Sequence, residues 1–280
     1  MSDVSEVLDR ALRMGEELDF PGMIKVLEEG LEDDPENPFI LCWLAVAHRE
    51  MGEVGTSYEL FKVVLGLQPE DPHILATAGS AIAHFDDPDA EGALRTASVL
   101  APDMPFARLM YGAYLAREGM VAEGIKELQA AAALDEEDPQ IPFELGVAYA
   151  LNGEYEKAQL AIARGVELDP ADSWIRVLLG LVEAEAGDLE EAATDLVSGA
   201  DQRPEDFEAQ LLAALALGAT SWEDRAYEMV ERARHAGADA DGVVLSQVEA
   251  RIESGPDSCK EYLTSSLGPI ALRERLMVRP

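Results

Sequence analysis

Histidine, cysteine and carboxylate side chains are where chemistry would have to begin in this chain, and their spacing argues against it. His48, His73, His84 and His235 lie far apart, none with a second ligand at helical spacing. A metal site needs three or four such donors converging on one point. Cys42 and Cys259 are equally remote and make neither a disulfide framework nor a zinc pattern. No P-loop, nucleophile elbow, HExxH helix or strand-preceded GxGxxG turn occurs. The acidic runs Asp86-Asp87-Pro88-Asp89-Ala90-Glu91 and Asp135-Glu136-Glu137-Asp138 suggest Ca²⁺ only superficially. They lack the glycine and the distal glutamate that a calcium loop needs, so they are expected to be solvated turns. The sequence therefore predicts no catalytic residue, no metal, no cofactor and no enzyme.

Charge narrows the partners. Among 280 residues, 56 are acidic and 21 basic, a formal net charge of −35. Nucleic-acid backbones and anionic membrane surfaces need clustered Lys and Arg, so both are disfavoured. The acidity is expected to serve solubility or adaptation to high salt; the alternative is that it attracts basic partners. An apolar fraction of 48 % with only 6 % aromatic residues describes a folded chain that packs small side chains. No apolar stretch is long enough for a membrane span. The N-terminal MSDVSEVLDR has neither a basic nor an apolar region of the kind a secretory signal carries, and a cytoplasmic location is expected.

The elements that must position any functional residue are announced by proline. Pro35, Pro69, Pro102, Pro170 and Pro204 are separated by 34, 33, 68 and 34 residues, with Glu136 where the intervening proline would fall. A period of about 34 residues is the length of a helix–turn–helix unit. Small residues recur in phase in the first helices (Ala11, Ala45, Gly79, Gly112, Gly146, Gly180, Ala214) and in the second (Ala90, Gly124, Ala158, Ala192, Ala226). Two backbones must cross closely there, and larger side chains would overpack the contact. Leu27, Phe61, Leu94, Leu128, Ile162, Leu196 and Val230 fill the space beside them. Gly52, Gly119, Gly153 and Gly187 end first helices as left-handed caps.

Seven units follow, 4–35, 38–69, 72–102, 105–136, 139–170, 173–204 and 207–238. The third is one residue short at its turn, and the seventh has Ser221-Trp222 where a glycine is expected. Residues 239–267 suggest a degenerate eighth helix pair, and 268–280 form an apolar, basic tail carrying Arg273, Arg275 and Arg279. That tail is expected to cap the eighth unit; the alternatives are that it folds back into the array's own trough or acidic rim, or that it is an exposed peptide offered to another protein.

The recurring positions, from Leu145-Gly146 and Tyr149 through Ala158 and Ile162 to Pro170, resemble those of the tetratricopeptide repeat family. The resemblance implies an all-α, right-handed α-solenoid of seven to eight helix pairs, with first helices lining a concave face. Positions that the family places on that face are occupied here by Phe39, Arg49, Phe106, Leu109, Phe143, Val147, Trp174, Val177 and Leu181. Aromatic residues at one edge and alanines beyond imply a groove for an apolar or amphipathic segment of a protein partner, one that could carry basic residues. Some family members hold a terminal carboxylate with Lys and Asn. The fifth positions here are Leu8, Cys42, Ala76, Leu109, Phe143, Val177 and Leu211, so no such clamp is built. The expected function is a protein-interaction scaffold or adaptor. The alternatives are a chaperone or regulator dedicated to one client and, more remotely, an accessory subunit of an enzyme or a sensor of a small molecule. Self-association stays open.

Overall fold

The computed structural model describes residues 4–237 and 242–278, and every regular element among them is helical. Residues 238–241, at the seam between the seventh unit and the expected eighth pair, and the tail's Arg279 and Pro280 lie outside the described residues. The described residues fall into two compact units, one ending at Tyr114 and one running from Leu115 to Val278.

The first unit holds α1 (Val4–Glu16), α2 (Phe20–Asp33), α3 (Pro38–Glu50), α4 (Val54–Gly66), α5 (Pro72–Ala83), α6 (Asp89–Leu100) and the beginning of α7 (Pro105–Arg117). Each helix from α1 to α5 packs on the next, and α3 also touches α1 and α5, so these odd-numbered first helices form one layer. Side-chain caps start these helices. The Asn37 carbonyl oxygen accepts from the amides of Phe39 and Ile40 at 3.1 Å, and the Asp71 carboxylate accepts from those of His73 and Ile74 at 3.0 Å. In both cases proline follows the cap, with its φ already helical and no amide to leave unpaired.

The second unit continues with α8 (Val121–Leu134), α9 (Gln140–Leu151), α10 (Tyr155–Leu168), α11 (Ser173–Ala186), α12 (Leu189–Gln202), α13 (Phe207–Ala219) and α14 (Glu223–Ala236). Connections of a few residues make neighbouring helices antiparallel. A Cβ added to Gly146 would lie 2.4 Å from Ile162, and one on Gly180 would lie 2.6 Å from Leu196. The small positions of the repeat are thus helix crossings, and the seven large residues beside them are buried in both units. Gly52, Gly119, Gly153 and Gly187 all have positive φ, as a left-handed cap requires.

Two expectations are corrected. The short turn of the third unit is not merely solvated. Asp87 is buried there, accepting from the Tyr58 hydroxyl at 2.7 Å and pairing with Lys62 at 2.9 Å. These hydrogen bonds, led by that of Tyr58, hold its carboxyl down at about 2. The missing residue shortens the turn, and the Asp87 network ties it back onto α4.

The second correction is at the C-terminal end. α15 (Gly242–Glu253) and α16 (Pro256–Tyr262) do form a hairpin, but α16 packs more extensively on α13 than on α15. The path continues through a π-helical turn, Leu263–Leu267, into α17 (Gly268–Leu276), which lies on α11 and α9. The tail therefore does not cap the eighth pair; it folds back across earlier first helices. Its buried Ala271, Leu272 and Leu276 join the apolar cluster that contains Val147, Val177 and Leu181, which explains the choice. Ile270, Met277 and Val278 stay exposed.

Candidate functional site

In the first unit, α3, α5 and α7 bring one aromatic row together. Trp43 on α3 stands 6.3 Å from His73 on α5, centroid to centroid, and His73 stacks on Phe106 of α7 at 4.9 Å with planes 20° apart. Phe39 precedes Trp43 by one helical turn and is 37 % exposed. His73 is exposed, and Trp43 and Phe106 are half-buried, so the stacked pair and the ring beside it keep part of their surface accessible. The caps at Asn37 and Asp71 fix the first turns that carry Phe39 and His73. Arg49, at the far end of α3, is exposed and bonds to Glu50 at 3.3 Å. Leu109 is fully buried and belongs to the core.

The second unit treats the equivalent positions differently. Phe143 meets Trp174 edge to face at 5.7 Å, and the Asp172 carboxylate caps the amide of Trp174 at 2.9 Å. Phe143 is almost closed off, and Val147, Val177 and Leu181 are buried. Val177 faces α12 so closely that a Cβ on Gly199 would lie 2.6 Å from it. These residues hold helices together, and α17 covers α9 and α11 where an open groove was expected. Arg275 of α17 reaches Glu208 at the start of α13 at 2.9 Å and Asp206 at 4.0 Å.

Charges within the second unit are managed by pairing or by protonation. Arg117 and Glu144 form a fully buried pair with contacts of 2.6 and 3.2 Å. Glu183 on α11 has no such partner. Burial, then the nearby carboxylates of Asp195, Glu191 and Asp188, push its carboxyl up to about 8, and one oxygen lacks a hydrogen bond. Among the described residues no group of three His, Cys, Asp or Glu side chains gathers as a metal site would.

Trp43 was not among the residues expected on the face. Its signal was its position one turn beyond Phe39, visible only once the helix register is exact. The caps Asn37, Asp71 and Asp172 carried a plainer signal, an Asn or Asp two residues before each aromatic position.

A family model described as tetratricopeptide repeat matches residues 119–173 and 143–207. Residues 119–207 carry tetratricopeptide repeats. The helix pairs on either side of the matched stretch have the same architecture, and solved structures extend the likeness. The structure of the hetero-tetramer Cut9–Hcn1 of the APC/C superposes with a TM-score of 0.66 over 82 % of this chain at 17 % identity, and this chain spans 45 % of that one. PilF of Pseudomonas aeruginosa superposes at 0.62, with 13 % identity over 76 % of this chain and 96 % of its own. PilW, a type IV pilus biogenesis factor, superposes at 0.61, with 18 % identity over 71 % and 93 %. These likenesses show the α-solenoid fold of tetratricopeptide repeats. In sequence comparison no curated protein matches. Tetratricopeptide repeats are protein-interaction scaffolds. No described helix is long and apolar enough to cross a membrane.

Proposed function

We propose that this protein is a non-enzymatic scaffold that captures an apolar or amphipathic segment of a protein partner on the aromatic row of its first unit. The observation that carries this is the stacked pair His73–Phe106 with Trp43 beside it, contributed by three first helices, with His73 exposed and the other two rings half-buried. Rings on rigid helices bury large areas at small entropic cost, which is why aromatic anchors dominate interfaces. A histidine, two half-buried rings and an exposed phenylalanine give an apolar strip with a polar tip, suited to a segment with apolar side chains on one side. The net charge of −35 favours partners with basic residues beside that apolar strip and speeds their encounter. Capture of this kind needs no catalytic group and no cofactor.

Selection of a displayed peptide library on the wild-type protein tests the proposal. Enriched peptides should combine Leu or aromatic residues with Lys or Arg, and should not bind the variant Trp43→Ala/Phe106→Ala. Equal retention by that variant, with helical content unchanged, would place binding elsewhere.

A further inference from the structure

The second unit carries a helix where the first leaves an open row, and that helix shows what its seat accepts. Ala271, Leu272, Arg275 and Leu276 stand at spacings of one, four and five residues, which places them on one face of α17. The three apolar members are buried in the apolar cluster of the second unit, where α17 packs on α11 and α9. Arg275 meets an acidic edge, Glu208 at 2.9 Å and Asp206 at 4.0 Å, in a chain of net charge −35. The seat is therefore an apolar face of first helices with a carboxylate pair at its border.

We propose that this face is a docking site for a partner's amphipathic helix carrying leucines four residues apart and an arginine just before the second, and that α17 is a built-in occupant which such a helix displaces.

Three features make α17 releasable. The π-helical turn Leu263–Leu267 interrupts the regular ladder ahead of it, and such turns are local faults in a helix. Gly268 donates its amide to the carbonyl of Leu263, and a Cβ there would lie 2.0 Å from that oxygen, so the turn tolerates no side chain at this position. Pro269 follows and has no amide to give to the preceding turn. The helix is thus least secured at its junction with α16. Its arginine is also imperfectly held, because Arg275 Nε is buried without a hydrogen-bond partner. A guanidinium supplied by another chain with all its donors paired would lose less on burial.

The inference is independent of the aromatic row in the first unit. Its test uses the full chain and a fluorescent synthetic peptide of residues 263–280. The variant Leu272→Asp/Leu276→Asp unseats α17, and it should bind the peptide at least about tenfold more tightly than wild type does. Placing Arg275→Glu in the peptide should abolish that gain, and adding Glu208→Arg to the protein should restore it. No binding to the folded variant would overturn the proposal, because the seat would then accept no helix in trans. Hydrogen exchange on the wild-type chain decides independently of any variant. Amides of 268–276 should exchange at least about tenfold faster than those of 173–186, since a releasable helix opens without the rest of its unit. Equal protection would make α17 a fixed strut and end the proposal. A concentration-dependent dimer that exchanges α17 between copies would likewise overturn it, the occupant then being a second copy of this chain.

Discussion

A Cβ placed on Gly146 of α9 would lie 2.4 Å from Cγ1 of Ile162 and 3.0 Å from the backbone oxygen of Ala158, both on α10. The backbone of α10 cannot withdraw without opening the hairpin. Gly146→Ala should therefore destabilise the second unit by about 1–3 kcal/mol, and Gly146→Leu by more. Gly92→Ala is the control. Gly92 is exposed on α6 with nothing near the position of an added Cβ, so the same change there should stabilise by about 0.5–1 kcal/mol through helix propensity. Urea denaturation of both variants checks the opposite signs.

Ser221 turns the chain between α13 and α14 with φ of +67°, where units with a glycine make the same turn unstrained. A side chain in the left-handed region costs roughly 1–2 kcal/mol, offset in part by the freedom glycine loses on folding. Ser221→Gly should thus raise stability by about 0.5–1 kcal/mol. A rise of a few degrees in the melting temperature is the expected reading.

Glu183 makes stability depend on pH with an unusual sign. Its carboxyl titrates at about 8 in the folded chain against 4.5 for an ordinary glutamate, chiefly through burial. Between these values the native state holds a proton that the unfolded chain releases, so this group lowers stability as pH rises through that interval. The effect is absent below the unfolded value and complete above the folded one. Wild-type protein should lose on the order of 1–3 kcal/mol more than Glu183→Gln does between pH 5 and pH 8. Parallel thermal melts at the two pH values measure it.

The periodic parts of the fold were legible in sequence because a repeat states the same packing problem many times. Pro35, Pro69 and Pro170 mark helix ends, and Gly146 with Ile162 marks a crossing, wherever the register falls. What the sequence hid is what happens once. Asp87 stands in an acidic run that looks solvated, and only the fold brings Tyr58 and Lys62 to it. The destination of the tail was equally hidden. Leu272 and Leu276 announce that they need burial, but three different surfaces could supply it, and no local pattern says which. The aromatic row was half visible. Phe39 and Phe106 follow from the family's face positions, whereas Trp43 and the stacking of His73 depend on how α3, α5 and α7 lie side by side. Val177 and Leu181 share those face positions, yet in the second unit they are interior residues.

Partner capture on the aromatic row of the first unit is tested most directly by photocrosslinking. Benzoylphenylalanine would be placed at position 106 within the row, and separately at position 99, where Val99 is 72 % exposed on α6. Irradiation with a library-selected peptide should give a covalent adduct from position 106 and none from position 99. An adduct from position 99 with none from position 106 would contradict the account, since the partner would then lie on a second-helix surface and the row of Trp43, His73 and Phe106 would be packing alone.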